Sequence, residues 1–542
     1  MLSLLARTIL VLPLVCSSLS GVQADRRGEV SKARGYDLGA INQRAVEDDT
    51  QGPSKKKRCD RKDAPCPDEV NFRFLNAKTK PFHVTSLPNI TYNIGEMYSG
   101  LIPIDMKDPD RALFFVFQPT DGAPVDEVTI WLNGGPGCSS LLGFLQGNGR
   151  FTWHAGMSKP IFNPYSWVGL TNVLWVDQPV GAGFATGQAR ATSEEDAAKE
   201  FADFFLNFQN IFGISKFKIY LTGESYAGRY VPYISAEMLN RKDKEHFDVG
   251  GALMYDPAIG SHDLIQAEAV AYPYIQKWNN ILGLNASFME ELKDTDRVCG
   301  YAEYRDYYLA IPANVTQPVT PRLTPQCDIH YHACEAAFRI NPCFSPFDLN
   351  LRCPVHPDPL GMPTRWAYSG YHGPTLYFDR DDVKSALHAP ADLMWEACGG
   401  PVFVGDPVDD TSLDSIQKVL PQVIEATNRV LIANSALNFV ILPEGTLLAI
   451  QNMTWGGKLG FETKPTTPIV INLPDFEYEQ YFAQGRGDEI VVGEPQGTMG
   501  VQHYERGLMW AETFNSGYQQ AMTQPRSSFQ HLQWLLGHIE TL

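Results

Sequence analysis

Residues 217–228 read Phe-Lys-Ile-Tyr-Leu-Thr-Gly-Glu-Ser-Tyr-Ala-Gly, and this stretch decides the fold. It begins as an apolar, strand-like run, turns at 223–228 and leads into a helix-like stretch from Tyr226 to Leu239. Small residues on both sides of Ser225 permit the sharp strand-to-helix turn that holds a serine hydroxyl above the edge of a sheet. The pattern predicts a nucleophile elbow, with Ser225 as its serine.

The rest of the chain alternates between strand-like and helix-like stretches. Several strand-like runs are continuously apolar, as in strands that are buried on both faces of a sheet, and a helical pattern covers 194–212. This alternation favours an α/β fold with a mostly parallel central sheet. The strand-like runs are 113–117, 128–132, 173–176, 217–221 and 430–432.

The N-terminus carries a short apolar run, Ile9 to Val15, followed by Val22-Gln23-Ala24, which fits the small-residue rule for signal peptidase. We expect residues 1–24 to be a cleaved signal peptide; a membrane anchor is the alternative, which the short run disfavours. Residues 25–68 are polar and contain the basic run Lys55-Lys56-Lys57-Arg58, for which a processing site and an exposed loop both remain open. The expected location is extracellular or elsewhere in the secretory pathway, including the vacuole.

The formal net charge of the 542-residue chain is −18, which disfavours nucleic acid and anionic membranes as partners. We read the charge mainly as a solvated surface. No motif predicts a metal site or a cofactor. Four N-glycosylation sequons agree with secretion: Asn89, Asn285, Asn314 and Asn452.

The cysteines indicate an insertion. The chain has ten, and removal of Cys16 with the signal leaves nine, so one thiol should lack a partner. Five of them, with two sequons and many prolines, lie between about 240 and 370, which we interpret as a disulfide-bonded cap over an active site. These five are Cys299, Cys327, Cys334, Cys343 and Cys353.

A second motif follows the strand-like run at 128–132. Residues 131–140 read Trp-Leu-Asn-Gly-Gly-Pro-Gly-Cys-Ser-Ser, with three glycines that let backbone N–H groups approach a ligand closely, as an oxyanion hole requires. A plain tight turn would explain this segment if it stood alone. Its combination with the elbow at Ser225 is much more specific.

These segments resemble the serine carboxypeptidase family, whose members are secreted or vacuolar exopeptidases of the α/β-hydrolase fold. The resemblance runs from about residue 95 to 537 and is most specific at 131–140, 177–184 and 223–230. Asn341-Pro342-Cys343-Phe344 and residues 451–457 resemble a fungal branch that includes carboxypeptidase S1. The resemblance implies a hydrolase domain in two parts, 69–240 and 371–542, separated by a cap at 241–370.

The family's site residues can be carried over to this chain one at a time. Ser225 becomes the nucleophile, and the N–H groups of Gly135 and Tyr226 become the oxyanion hole. Asn133 and Glu224 would bind the C-terminal carboxylate of a peptide, with Glu224 protonated at acidic pH. The resemblance also implies a disulfide between Cys138 and Cys398, and peptide or protein C-termini as substrate or ligand.

Three positions depart from the family pattern. The second glutamate of the carboxylate clamp belongs fourteen residues after Asn133, where this chain has Gly147. The triad aspartate belongs after the run at 430–432, where Gly445-Thr446 fixes the register and places Asn438. The triad histidine belongs seven residues before Pro525, where this chain has Tyr518.

These departures predict a protein of the carboxypeptidase type with little or no hydrolytic activity. Asn438 has no charge to stabilise an imidazolium, and a phenol with a pKa near 10 is a poor base for a serine. The alternative is an active carboxypeptidase that uses an unrecognised base and releases C-terminal residues at acidic pH. His503, His531 and His538 are the nearest histidines in the sequence, the last two expected on a closing helix.

Overall fold

The computed structural model describes residues 72–91, 93–318, 324–361, 375–405, 409–471 and 497–542. The proposed signal peptide, the polar segment 25–68 and its basic run at 55–58 lie outside the described residues. Arg73 to Leu542 belong to one compact unit.

The centre of the protein is a ten-stranded sheet in the order β1-β2-β6-β3-β7-β8-β9-β14-β13-β12. Two ribbons of two strands each, β4 with β5 and β10 with β11, lie outside it. The strands are β1 (Tyr98–Asp105), β2 (Asp108–Gln118), β3 (Glu127–Leu132), β4 (Phe151–Thr152), β5 (Ile161–Phe162), β6 (Asn172–Asp177), β7 (Lys218–Glu224), β8 (Asp248–Tyr255), β9 (Val430–Ser435), β10 (Thr454–Trp455), β11 (Lys458–Leu459), β12 (Thr467–Ile471), β13 (Gly497–Glu505) and β14 (Leu508–Thr513).

The middle of the sheet is parallel and its edges are antiparallel. β6, β3, β7, β8, β9 and β14 run in one direction, whereas β1, β2, β13 and β12 join through antiparallel pairs. The parallel strands therefore end at one edge of the sheet, which is where such folds place their chemistry. The predicted α/β-hydrolase fold with a mostly parallel sheet is confirmed.

Alternate residues of the central strands supply two hydrophobic cores, one on each face of the sheet. In β3, Ile130 and Leu132 lie in the core that includes the helices at 194–212 and 227–240, and Trp131 lies in the core on the opposite face. Burial on both faces explains why the strand sequences are apolar throughout instead of alternating.

Helices cover both faces of the sheet. α1 begins after Ser193, whose side chain accepts from the Asp196 N–H, and ends at Gly213 in the left-handed conformation. It spans the residues that the sequence pattern predicted. The helices are α1 (Glu194–Phe212), α2 (Ala227–Asn240), α3 (Ala269–Leu282), α4 (Ala286–Val298), α5 (Tyr301–Tyr308), α6 (Ile329–Ile340), α7 (Asp381–Ala386), α8 (Val419–Thr427), α9 (Pro443–Ile450), α10 (Gln520–Thr523) and α11 (Pro525–Leu536).

The cap consists of α3 to α6 and the loop that follows them. Disulfides join Cys299 to Cys327 and Cys343 to Cys353, and Cys334 is buried as a free thiol. β8 of the central sheet lies inside the range 241–370 that the sequence assigned to the cap. The glycine pair at 250–251 interrupts the apolar run of β8, so its sequence does not show a clear strand pattern. The cap therefore begins after Tyr255.

None of the helices in the described ranges has both the length and the apolar character needed to cross a bilayer.

Candidate active site

Ser225 lies on a sharp turn between β7 and α2. Its φ of 67° is in the left-handed region, which a residue with a side chain occupies only when its surroundings enforce it. Hydrogen bonds to β8 and the following loop do so: the Ser225 N–H donates to the Tyr255 carbonyl over 2.9 Å, and the Ala258 N–H donates to the Ser225 carbonyl over 3.0 Å. The serine is thus fixed at the end of the parallel strands.

The glycine-rich segment passes directly over this turn. A Cβ on Gly134 would lie 2.5 Å from the Tyr226 nitrogen and 2.8 Å from the Ser225 Cβ, so only glycine permits this approach. Among the described residues, neither the Gly135 N–H nor the Tyr226 N–H donates to a protein acceptor. Two backbone donors beside a serine can stabilise an oxyanion.

Asn133 and Glu224 form a buried pair beside the elbow. The Asn133 side-chain NH2 donates to Glu224 Oε1 over 2.7 Å, and its oxygen accepts from the Trp131 indole over 2.7 Å. Burial, reinforced by the charge of Asp256, raises the pKa of Glu224 to about 8, which the hydrogen bond from Asn133 only partly offsets. Glu224 is therefore a neutral carboxylic acid at acidic pH and can donate to a carboxylate.

Gly147 ends a helical turn, Gly143–Gly147, and faces the segment that follows Tyr518. A Cβ on Gly147 would meet the Ala521 side chain at 3.5 Å, an ordinary contact distance. A larger side chain at 147 has room to begin there. The neighbouring Gln146 is held by the Asp358 carboxylate over 3.0 Å.

Tyr518 lies between the elbow and the cap. Its buried ring packs against Ala258 and Ile441 and lies 5.4 Å from the ring of Phe347, which belongs to the loop after α6. The phenol faces Ser225. Burial raises the pKa of Tyr518 far above its usual value, the charges of Glu224 and Asp256 raise it further, and the Ser225 hydroxyl opposes this only in part. The phenol is thus more firmly protonated than a free tyrosine.

Asn438 is completely buried, and its amide is fully used by neighbouring groups. Its oxygen accepts from the Val440 N–H over 2.7 Å. Its NH2 donates to the Ile441 carbonyl over 2.8 Å and to Asp256 Oδ1 over 2.9 Å. Asn438 therefore closes the turn after β9 and joins it to Asp256.

Asp256 is a residue of this site that sequence reasoning missed. It follows β8 directly, has no exposed surface and has a φ of 43°. Its carboxylate accepts from the Ser435 N–H over 2.8 Å and from the Ser435 hydroxyl over 2.7 Å. Burial raises its pKa to about 7 despite these bonds. The sequence feature that could have identified Asp256 is an acidic residue, in Tyr255-Asp256-Pro257, at the end of an apolar run.

The three histidines considered as substitute bases lie elsewhere. His503 is paired with Glu505 over 2.9 Å, and buried His531 contacts the Tyr255 hydroxyl on the other face of the sheet. Burial lowers the pKa of His531 to about 3. His538 follows the end of α11 instead of lying on that helix as expected. Within the described ranges, no histidine is hydrogen-bonded to Ser225.

The cap loop is held over the site by backbone hydrogen bonds. The Tyr518 N–H donates to the Phe347 carbonyl over 2.7 Å, and the Phe439 N–H donates to the Pro346 carbonyl over 2.8 Å. A Cβ on Gly517 would lie 2.7 Å from the Asp348 side chain, so the two loops are in close contact.

Cys138 and Cys398 form a disulfide that joins the glycine-rich segment to the chain after the cap. Backbone bonds from Ser139 to Ala397 and from Gly399 to Gly137 flank it.

Three of the four sequon asparagines, Asn89, Asn285 and Asn314, are exposed. Asn452 is half-buried and accepts from the Gln317 N–H over 2.8 Å.

Comparisons with known proteins identify relatives of this chain. A sequence profile of the family described as serine carboxypeptidase matches residues 88–538. The chain is 55% identical over 482 residues to serine-type carboxypeptidase F of Aspergillus niger, covering 87% of this chain and 90% of that protein. A carboxypeptidase Y homolog of Arthroderma benhamiae is 36% identical, covering 87% and 89%. The crystal structure of Kex1(delta)p from Saccharomyces cerevisiae superimposes with a TM-score of 0.64 at 22% identity, covering 85% of this chain and 96% of that one.

Proposed function

Because this chain belongs to the serine carboxypeptidase family, we propose that it is a secreted member that binds peptide C-termini and hydrolyses them poorly or not at all. Its ligands in this proposal are peptides, because its relatives are named as carboxypeptidases.

The observation that carries this proposal is Tyr518 facing Ser225. A serine hydroxyl needs a neighbouring base to become a nucleophile. The phenol at this position is buried with a raised pKa, so it cannot take the serine proton in a neutral or acidic medium. Its ring also fills space between the elbow and the cap.

Asn438 is a second departure from the family pattern. An asparagine in place of the triad aspartate lowers turnover about 10⁴-fold in a well-studied serine protease, because the histidine is then held in the wrong tautomer. Here the Asn438 amide is also fully engaged by Val440, Ile441 and Asp256.

Ligand binding is retained in this proposal because its residues are intact. Glu224 as a neutral acid can donate to a carboxylate, and the N–H groups of Gly135 and Tyr226 can receive a carbonyl oxygen. Gly147 removes one carboxyl from the clamp, so we expect weaker binding than in a relative with glutamate there.

Secretion and glycosylation belong to the same proposal. They rest on the signal-like residues 1–24, on three disulfides within the described part of the chain and on exposed sequon asparagines. Disulfides persist mainly in oxidising compartments.

The test is an assay of C-terminal residue release from blocked dipeptides, with the Aspergillus niger relative run beside this protein. We expect a rate at least about 10⁴-fold lower than that of the relative. Any residual rate should be the same in Ser225→Ala. A large loss on that substitution would reject the proposal.

The second candidate is an active carboxypeptidase with an unrecognised base. The 55% identity to an Aspergillus niger protein named as a carboxypeptidase favours it, as does the intact elbow at Ser225. The same assay decides between them, because this candidate requires turnover that depends on Ser225.

A further inference from the structure

Asp256 is the acidic group that is hydrogen-bonded to Asn438, at the position of the lost triad aspartate. β8 lies between β7, which carries Ser225, and β9, which leads to Asn438. The residues at these strand ends therefore meet at one edge of the sheet, and Asp256 is central among them.

Asp256 is also linked to the loop that carries Tyr518. The Ser435 hydroxyl donates to Asp256 Oδ2 over 2.7 Å, and the Ser516 hydroxyl donates to Ser435 Oγ over 3.2 Å. Two residues after Asp256, Ala258 packs against the Tyr518 ring. Burial raises the pKa of Tyr518, and the charge of Asp256 adds to this after that of Glu224.

The bond between Asp256 and Asn438 places the acid of this site at 256, and burial raises the pKa of that acid to about 7. The Asn438 NH2 donates to Asp256 Oδ1 over 2.9 Å, so an aspartate at 438 would bring two carboxyl groups together in a region without solvent. Like charges at this distance in a buried site are strongly unfavourable. The present arrangement pairs an amide at 438 with an acid at 256 and avoids this repulsion.

We propose that Asp256, and not residue 438, is the acid of this site, and that it would orient a histidine introduced at 518 as the base of Ser225. Asp256 is then a positioning residue, and the single change Tyr518→His regenerates hydrolysis. This inference rests on the proposed function, in which the missing base is what silences the wild-type protein.

The chemistry of such a variant balances without a further reactant. The Ser225 oxygen bonds to the substrate carbonyl carbon while its proton passes to the imidazole. The imidazolium gives that proton to the amine as the C–N bond breaks. Water then attacks the acyl group by the same route, and Asp256 stabilises the imidazolium each time it forms.

The first experiment measures release of C-terminal residues by Tyr518→His and by the same variant with Ser225→Ala. We expect Tyr518→His to gain about 10²-fold over wild type, the lower range for a positioned base, and Ser225→Ala to abolish the gain. Adding Asp256→Asn should return the rate to the wild-type level. Adding Asn438→Asp to Tyr518→His should lower the rate. Adding Asn438→Asp and Asp256→Asn together should restore part of the rate.

The matched control is Asp348→Asn. Asp348 is the cap-loop carboxylate next to Gly517, whereas the charges that raise the pKa of Tyr518 are those of Glu224 and Asp256. In the Tyr518→His background this control should leave the gain intact. If Asp348→Asn removes the gain and Asp256→Asn does not, the inference is overturned.

A nuclear magnetic resonance titration of the introduced imidazole tests positioning without relying on turnover. A carboxylate beside an imidazole raises its pKa, so Asp256→Asn should lower the midpoint by about one pH unit or more. Glu224 is the other titratable group that acts on residue 518, and Glu224→Gln serves as the comparison. A midpoint that is unchanged by Asp256→Asn overturns the inference.

A third measurement needs no histidine and applies if Tyr518→His does not fold. Asn438→Asp should lower Tm more at pH 8 than at about pH 5, because each buried carboxyl has a raised pKa and destabilises the folded state as pH rises. Asp256→Asn should suppress this effect in the double variant. If Asn438→Asp is neutral at both pH values, Asp256 does not carry the charge of the site.

Failure of this inference is distinguishable from failure of the proposed function. Turnover that depends on Ser225 in the wild-type protein contradicts the proposed function. Two results together contradict only the role of Asp256. Tyr518→His alone gains no activity, and the double variant of Tyr518→His with Asn438→Asp is active.

Discussion

The indole N–H of Trp131 donates to Asn133 Oδ1 over 2.7 Å and thereby fixes which end of the Asn133 amide faces Glu224. The NH2 group must point to Glu224 Oε1, which it meets at 2.7 Å. This leaves the other carboxyl oxygen of Glu224 for a ligand. The Asn133 amide and the Glu224 carboxyl are thus held in one relative orientation.

Binding of a peptide with a free C-terminal carboxylate should weaken as Glu224 ionises. The pKa of Glu224 is raised to about 8, so below that pH the carboxyl donates to the ligand, and above it the two carboxylates repel each other. Calorimetry should show affinity falling at least about tenfold between about pH 6 and pH 9. The amidated peptide is the control, and Glu224→Gln should remove most of the dependence. Equal affinity across this range would contradict the role of Glu224.

Glu224 should also make the folded protein less stable as pH rises. Its folded pKa lies above its unfolded value near 4.3, so stability is complete below that value and is lost progressively up to about pH 8. The upper limit of the effect is about 5 kcal/mol. Urea unfolding of Glu224→Gln and wild type should therefore diverge with increasing pH. Parallel curves would mean that the carboxyl is not desolvated as described.

The disulfide between Cys138 and Cys398 should contribute more stability than the one between Cys343 and Cys353. The first closes a loop with a sequence separation of 260 residues and the second one of 10. Replacing both cysteines of the long-range pair by serine should cost about 2–4 kcal/mol, and the short-range pair less, because a longer loop is more restricted in the unfolded chain. Denaturant titrations measure both. Peptide mapping that found Cys138 and Cys398 as free thiols would contradict the framework itself.

Gly134→Ala should damage the elbow. The added methyl would lie 2.5 Å from the Tyr226 nitrogen, so the glycine-rich segment or the turn at Ser225 must move. We expect a loss of about 2–4 kcal/mol in unfolding free energy and weaker ligand binding. Gly169→Ala is the matched control, since a Cβ there meets nothing within 4 Å, and its effect should stay below about 1 kcal/mol. Equal effects of the two substitutions would contradict this account.

Much of the fold could be predicted because its signals are local. The helix at 194–212 follows from its periodicity and the strands at the sheet centre follow from their apolar runs. β8 was missed because Gly250 and Gly251 interrupt its pattern. The pairing of the cap cysteines depends on how distant segments pack, which spacing alone does not determine.

The candidate site was predictable only where a motif carries it. The elbow and the glycine-rich segment have their own geometry, so Ser225 and its neighbours could be identified from sequence. Asp256 could not, because its importance depends on contacts with Asn438 and Ser435, which are distant in the chain. A single acidic residue at the end of a strand does not form a sequence motif that could be recognised.

The hydrogen bond from the Tyr518 N–H to the Phe347 carbonyl involves only the backbone, so it does not depend on which side chain residue 518 carries. Tyrosine and histidine codons differ only in their first base. A single-nucleotide change in the gene can therefore exchange the phenol for an imidazole while this contact with the cap persists. If Asp256 supplies the acid, one base change separates this gene from one that encodes an imidazole beside Ser225.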